Sequence, residues 1–335
     1  MESKTVIVLG SAGQVGDGIK EAFAARNWNV IAIDPKENGI SSSCNVISVR
    51  STAEEVSDKE WMSWFVDCTC CEIIYSAEEG NRDMYSSNPD LGSKNNQRFA
   101  TFVERLEHIF VQGGTSKKRR LYISYCGGSW TRKEIDSQSF CVGDKSKVKE
   151  GGGSNNYERA KSSAYENAKK LAKINQDWMT ILFFDYISVV PNYSPNFTMG
   201  KMVQSAMKTG KITYSAGDYG RPLLHSQQAA SVLLALAEQR ASAKLLTHED
   251  PFDTFIIPGN FTSFETFASV AKEIAAQNGK KDVKLICQKD TPDFLRSRCN
   301  SVRLVESLHF KTNGEHVLQG LKETAQRAID EYLQE

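Results

Sequence analysis

Two side chains at the start of one amphipathic segment have the types and the spacing that proton transfer needs. Tyr157 and Lys161 are four positions apart, so in a helix over 157–175 they share one face. A phenol ionises near pH 10 and is a poor base at neutral pH, and lowering its pKa by about three units requires roughly 4 kcal/mol of extra stabilisation of the phenolate. A neighbouring ammonium supplies part of that stabilisation. We therefore predict that Tyr157 exchanges a proton with a substrate and that Lys161 assists it.

A glycine-rich turn near the amino terminus has the pattern of a phosphate-binding loop. Gly10, Gly13 and Gly16 directly follow the first apolar run and open a helical stretch. Glycines let the chain turn tightly and bring backbone N–H groups against a pyrophosphate, and the start of the helix adds partial positive charge. We expect the amides near Gln14 and Val15 to face the phosphates. The turn therefore predicts a dinucleotide site.

A carboxylate at the end of the second predicted strand indicates which dinucleotide binds. Asp34 lies eighteen positions beyond Gly16, where a carboxylate accepts hydrogen bonds from the adenosine ribose hydroxyls and repels a 2′-phosphate. This favours NAD over NADP as the cofactor. NADP stays possible because Lys36 is close in sequence.

These residues need a framework of strands and helices to position them, and the first half of the chain has the pattern of one. Short apolar, β-rich runs alternate with amphipathic stretches. The runs lie at 5–9, 29–33, 45–49, 72–76, 120–124 and 179–184, and the stretches at 18–26, 58–67, 95–111 and 157–175. Parallel neighbours need crossover connections that usually contain helices. The predicted fold class is therefore α/β, a Rossmann-like doubly wound parallel sheet.

The pattern changes after about Asp185, where prolines and asparagines mark a loop. Further elements are predicted near 199–208, 211–214, 226–239, 254–258, 263–277 and 315–334. We predict a dinucleotide-binding Rossmann domain over 1–185, to which the strand near 254–258 returns. Most of 186–335 is predicted to form a smaller, carboxyl-terminal substrate-binding region.

Composition excludes several classes of protein and of partner. The 41 basic and 41 acidic side chains balance, so the chain lacks the net positive charge typical of nucleic-acid binding. The longest apolar stretch, 178–190, contains Asp185 and is shorter than the ~20 residues that cross a bilayer. The amino terminus does not resemble a secretory signal, and the eight cysteines are irregularly spaced. We expect a cytoplasmic protein with reduced thiols, no metal site and no membrane partner.

Several segments together resemble the extended short-chain dehydrogenase/reductase family, the NAD-dependent epimerases and dehydratases of sugar nucleotides. The resemblance covers nearly the whole chain. It rests on GSAGQVG at 10–16, IIYSA at 73–77, LYIS at 121–124, NYERAK at 156–161, RPLLHSQQAA at 221–230, FIIPGN at 255–260 and SVRLVESLHF at 301–310.

The resemblance implies roles for three residues. It places Ala77 beside the cofactor and Lys161 on the nicotinamide ribose. It makes Arg221 the clamp on the diphosphate of a nucleotide-linked sugar, which suits a planar guanidinium. It also implies a homodimer through the helices near 95–111 and 157–175.

The chain departs from the family at the end of the fifth strand. The family places a Ser or Thr one or two positions beyond Ser124, where this chain has Tyr125 and Cys126. We assign the hydroxyl that hydrogen-bonds the reacting oxygen to Ser124, with Ser129 as the alternative. The Asp-Glu pair of the family's dehydratases is absent from this segment, which disfavours dehydration.

Together these features predict an NAD-dependent sugar-nucleotide epimerase/oxidoreductase, in which Tyr157 removes a hydroxyl proton as hydride passes to the nicotinamide. Two alternatives stay open. One is an NAD(P)H-dependent ketoreductase of a keto-sugar or another small carbonyl compound. The other is a non-catalytic dinucleotide-binding sensor or interaction protein, which the departure at the fifth strand motivates.

Overall fold

The computed structural model describes twelve stretches of the chain: 3–36, 45–66, 68–78, 82–112, 120–127, 156–186, 189–191, 197–215, 220–242, 250–257, 259–288 and 314–334. The alternative hydroxyl Ser129 and the motif at 301–310 lie outside these residues.

The described chain forms strands and helices that alternate through its first half. The strands are β1 (Ser3–Leu9), β2 (Asn29–Ile33), β3 (Val46–Val49), β4 (Cys68–Tyr75), β5 (Leu121–Cys126), β6 (Met179–Tyr186), β7 (Val189–Val190), β8 (Lys211–Ser215), β9 (Gly220–His225), β10 (Phe252–Ile257), β11 (Asn260–Ser263) and β12 (Lys284–Gln288). The helices are α1 (Gln14–Ala24), α2 (Asp58–Val66), α3 (Arg82–Ser87), α4 (Leu91–Glu107), α5 (Asn156–Ile174), α6 (Thr198–Thr209), α7 (Ser226–Ala241), α8 (Phe264–Gln277) and α9 (Gly314–Gln334). A π-helical turn, His108–Gln112, continues α4.

Seven strands form one sheet in the order β10-β6-β5-β4-β1-β2-β3. The pairings of β1 with β2 and β4, of β2 with β3, and of β5 with β4 and β6 are parallel. The α/β fold class, with a doubly wound Rossmann-like sheet, is therefore confirmed. The strand order reverses between β1 and β4, and ligands of such sheets bind at the carboxyl ends of the strands beside that point.

The chain divides into two compact units. The first comprises the described residues of 1–131, 145–185 and 227–256, so that it includes α7 and most of β10. The second comprises those of 186–226 and 257–335. It contains a three-stranded sheet, β11-β9-β7, and a parallel pair, β12-β8.

The core of the first unit explains why these segments form helices and strands. In α4, Phe99, Phe102, Val103 and Leu106 are buried at helical spacing and pack on one face of the sheet. On that face Tyr75, Tyr125 and Phe183 occupy paired positions in three neighbouring strands. Their rings stack with centroids 5.2 Å apart from strand to strand. This aromatic row lies at the carboxyl end of the sheet, where Glu78 and the Gly10 turn also lie.

Among the described residues, no helix is long and apolar enough to cross a membrane. The same residues contain no group of three or more His, Cys, Asp or Glu side chains that could hold a metal ion.

Candidate dinucleotide and proton-transfer site

The turn after β1 is packed backbone against backbone, and this packing requires glycine. Gly10 has a φ of +77°, and a Cβ built there would lie 2.6 Å from the carbonyl oxygen of Ser76. A Cβ on Gly16 would collide with the carbonyl oxygen of Gly10. The Gly10 amide donates to the Ile33 carbonyl at 3.0 Å. The turn thus holds the ends of β1, β2 and β4 together, and only glycine fits at these two positions.

Helix α1 begins directly after this turn, four residues earlier than the amphipathic stretch predicts. Its N-cap is Gly13, which supplies no side-chain cap to the first-turn amides. The amide groups of Gln14, Val15 and Gly16 form that first turn. A helix start of this kind suits an anionic ligand, because backbone N–H groups and the helix dipole both favour negative charge there.

The Asp34 carboxylate is held against the same turn. It is buried, its Oδ2 accepts from the Ala12 amide at 3.1 Å, and its Oδ1 accepts from the Lys36 amide at 2.8 Å. A carboxylate oxygen can accept more than one hydrogen bond, so these contacts leave capacity for ribose hydroxyls. The structure therefore brings Asp34 and the three glycines together.

Tyr157 and Lys161 share one face of α5, as their spacing predicts. The Lys161 Nζ atom lies 5.7 Å from the centre of the Tyr157 ring and 5.8 Å from the centre of the Tyr85 ring. Tyr85 comes from α3 and meets the Tyr157 ring edge to face, with centroids 5.3 Å apart. Two aromatic rings therefore flank the ammonium group.

The Lys161 ammonium also forms a buried ion pair. Its Nζ donates to Oε2 of Glu78 at 2.7 Å, and the two side chains are only 3% and 4% exposed. Burial favours the neutral amine, but the Glu78 carboxylate and the nearby phenols outweigh it, so the pKa of Lys161 lies above its ordinary value. Lys161 is therefore charged at neutral pH.

The second oxygen of Glu78 accepts a hydrogen bond from the Tyr125 hydroxyl. Burial and the Glu78 carboxylate raise the pKa of Tyr125 well above its ordinary value, so this hydroxyl remains a donor. Glu78 follows Ala77, whose backbone packs on Gly10. The segment from Ser76 to Glu78 thus connects the glycine turn to the Tyr157 and Lys161 pair.

Comparison with known proteins is informative at the level of structure. No protein-family model and no curated protein sequence matches the chain. The structure is similar to the UDP-Glc/GlcNAc 4-epimerase from Campylobacter jejuni, with a TM-score of 0.67, 15% identity, and 99% of this chain and 100% of that chain covered. The chain has the same fold as this epimerase.

Two further structures with this epimerase fold carry ligands. UDP-glucose 4-epimerase from Thermotoga maritima, solved with UDP-glucose, gives a TM-score of 0.65 at 14% identity over 98% of this chain and 99% of that chain. MoeE5, solved with UDP-glucose and NAD, gives 0.64 at 14% identity over 98% and 100%. At these identities the comparison shows the fold alone. It confirms, for the fold, the family resemblance that the sequence motifs indicate.

The structure does not place Ser124, the predicted hydroxyl donor, beside Tyr157 and Lys161. Ser124 is buried in β5, and because successive strand residues point to opposite faces, it points away from the face that Tyr125 occupies. In the described part of the chain, Ser124 makes no hydrogen bond to Tyr157 or Lys161. Cys126 is also buried, and burial followed by the charge of Glu78 raises the pKa of its thiol to about 12.

Ala77 and Arg221 are the remaining predicted site residues. Ala77 is exposed directly beyond β4, beside the glycine turn. Arg221 lies in β9, where its backbone is paired with Thr262 of β11, and its side chain is outside the described part of the structure. Arg221 belongs to the second unit.

Sequence reasoning missed Glu78 and Tyr85. The sequence signal that could have identified Glu78 is a carboxylate at the end of a central strand, because Glu78 directly follows the IIYSA segment at 73–77. Tyr85 lies in α3, a helix of six residues that is too short to show a periodic pattern.

Proposed function

We propose that the chain is an NAD-dependent epimerase/oxidoreductase that acts on a nucleotide-linked sugar. The observation that carries this proposal is the connection between two sites within the first unit. The glycine turn packs on Ser76 and Ala77, and the next residue, Glu78, binds Lys161 beside the Tyr157 ring. A proton-transferring pair is thereby linked through a three-residue segment to a dinucleotide-type turn.

The residues at the turn fit NAD. The pyrophosphate would lie against the first turn of α1, whose N-cap, Gly13, is exposed and supplies no side-chain cap, and Asp34 would accept from the adenosine ribose. When bound, NAD supplies the group that accepts a hydride and returns it. The negative charge of Asp34 disfavours the 2′-phosphate of NADP.

In this proposal Tyr157 performs the proton transfer at its phenolic oxygen. It removes a proton from a sugar hydroxyl and gives the proton back when the carbonyl is reduced. Lys161 holds the ribose next to the reacting ring with the donors that its bond to Glu78 leaves. Arg221 binds the diphosphate of the substrate, which would make the second unit the substrate-binding region. Ser124 is not included, because its side chain points to the other face of β5.

Three features of the whole protein belong to the same proposal. The described cysteines are free thiols, which fits a cytoplasmic protein. The sugar nucleotide is the expected partner, since similar structures hold UDP-glucose. A homodimer through α4 and α5 follows the resemblance to the family.

One observation favours a second candidate, a dinucleotide-binding protein without turnover. The Lys161 ammonium is already engaged by Glu78, and Tyr125 directs its hydroxyl to Glu78 rather than to a substrate. A ketoreductase is the other alternative within the enzyme class. It would consume NAD(P)H stoichiometrically, whereas an epimerase needs no added reductant.

Tyr157→Phe tests the proposed chemistry. Protein supplied with NAD is incubated with UDP-, GDP-, CDP- and dTDP-sugars, and epimers are identified by NMR. Because general acid–base catalysis contributes 10²–10⁴-fold, we expect turnover of the accepted sugar to fall at least ~100-fold in Tyr157→Phe, with NAD binding retained.

The matched control is Tyr332→Phe. Tyr332 lies near the end of α9 and its ring is beside the Lys208 ammonium, so the variant removes another phenol that is close to a lysine. It should leave turnover unchanged. Equal turnover in Tyr157→Phe and the wild type would contradict the assignment, and NAD binding with no turnover of any sugar would favour the non-catalytic candidate.

A further inference from the structure

Glu78 is an acidic group in direct contact with Lys161 of the proposed proton-transfer pair, and both of its oxygens are used. Oε2 accepts from the Lys161 ammonium at 2.7 Å, and Oε1 accepts from the Tyr125 hydroxyl. The carboxylate side chain is 4% exposed. A buried carboxylate with a cationic partner and a second donor is fixed in place, because breaking such a pair leaves an uncompensated charge.

The ion pair changes the electrostatic effect of Lys161 on Tyr157. An uncompensated ammonium at 5.7 Å from a phenol ring stabilises the phenolate strongly in a poorly solvated site. Here the ammonium is paired with a carboxylate of opposite charge, and the two side chains are almost completely buried. Taken together, the two side chains carry no net charge.

The titratable groups around Lys161 come from several elements. Tyr85 lies on α3, Tyr157 on α5 itself, and Glu78 in the segment after β4, and all three act electrostatically on Lys161. Tyr125 and Cys126 of β5 experience the Glu78 charge in turn. Within the described residues, Glu78 is the carboxylate that balances the ammonium.

We propose that Glu78 is a positioning residue that fixes Lys161 between the Tyr85 and Tyr157 rings and balances its charge, so that loss of the Glu78 carboxylate would increase the support that Lys161 gives to a Tyr157 phenolate. This inference rests on the proposed function, in which Tyr157 and Lys161 are the proton-transferring pair. It deepens that function by adding the group that sets the pair's acid–base balance. The consequence is measurable in the protein without cofactor or substrate.

The experiment is a titration of phenolate absorbance in the near ultraviolet on the full chain. In Glu78→Gln the ammonium loses its counter-charge while the side chain keeps its size. Tyr157 should then ionise about one pH unit lower than in the wild type, or lower still. Besides burial, the Glu78 carboxylate raises the pKa values of Tyr75, Tyr85 and Tyr125, so the step that belongs to Tyr157 is the one that vanishes in Glu78→Gln combined with Tyr157→Phe. Glu273→Gln, which removes the carboxylate of a surface pair with Lys322, is the matched control and should show no shifted step.

A second variant keeps the test decisive if Glu78→Gln does not fold. Glu78→Gln combined with Lys161→Met removes both charges, and Tyr157 should then titrate within about half a pH unit of the wild type, because a balanced pair has little net effect. NAD calorimetry on the same samples tests the proposed function separately, since failure of NAD to bind would not alter the titration. The inference about Glu78 is overturned if no tyrosine shifts in folded Glu78→Gln, if every shifted step persists without Tyr157, or if the doubly substituted pair moves the Tyr157 step by more than about one pH unit.

Discussion

At the scale of single residues, the glycine turn depends on both backbone conformation and space. Gly10 has a positive φ and lies against Ser76, whereas Gly279 has a φ of +91° with open space around it. Gly279→Ala should lower the free energy of unfolding by about 1–2 kcal/mol through strain alone. Gly10→Ala adds a collision with backbone and should cost about 3 kcal/mol or more.

Urea unfolding of the two variants checks this expectation. If Gly10→Ala and Gly279→Ala lowered the free energy of unfolding equally, the turn would not lie as close to Ser76 as the structure indicates.

Residue types and short spacings were the part of the site that the sequence could predict. The glycine turn and the Tyr157–Lys161 face depend on residues a few positions apart, and Asp34 on the end of a neighbouring strand. The Lys161–Glu78 contact joins residues 83 positions apart, and Tyr125–Glu78 joins residues 47 apart. Such pairs depend on how strands and helices pack, so spacing did not indicate them. The sequence also could not indicate which face of β5 Ser124 occupies, because both faces of that strand are buried and its residues show no alternation of polar and apolar side chains.

At the scale of elements, α7 is fixed to the sheet by a buried ion pair. Arg240 of α7 donates to both oxygens of Glu72 in β4 at 2.5 and 2.6 Å, and its guanidinium lies 5.0 Å from the centre of the Tyr122 ring. Removing one partner leaves a buried charge unpaired. We expect Arg240→Met to lower the free energy of unfolding by about 3–5 kcal/mol, and the double substitution with Glu72→Met to recover most of that loss.

Unfolding followed by tryptophan fluorescence measures this cycle, since Trp28, Trp61, Trp64 and Trp178 all lie in the first unit. If the double variant were as unstable as Arg240→Met, the pair would not be the interaction that attaches α7 to β4.

The elements themselves were predictable where periodicity extends over several residues. The predicted strands of the first half all correspond to strands of the central sheet, and the predicted stretch 95–111 corresponds to α4 and its π-helical continuation. Helix α1 begins earlier than its amphipathic pattern because the glycines that open it carry no hydrophobic signal. Helix α3 and the two-residue β7 are too short for any period to be visible.

At the scale of the whole molecule, fold and sequence carry different information. No family model or curated sequence matches the chain, yet the structures it resembles are aligned over nearly its full length at 12–15% identity. Buried apolar positions tolerate many substitutions that keep volume and pattern, so a fold persists at low sequence identity. The side chains at the site decide the chemistry more than the fold does.

We expect a dinucleotide to bind to the first unit at the turn shared by β1, β2 and α1. Isothermal titration calorimetry of NAD and NADP with the wild type and Asp34→Ala measures this binding. The wild type should bind NAD more tightly than NADP, and Asp34→Ala should weaken NAD binding about tenfold or more because hydrogen bonds to a charged partner are lost, with a smaller effect on NADP. A folded wild-type protein that binds neither dinucleotide, or an Asp34→Ala variant that loses NADP more than NAD, would contradict this expectation.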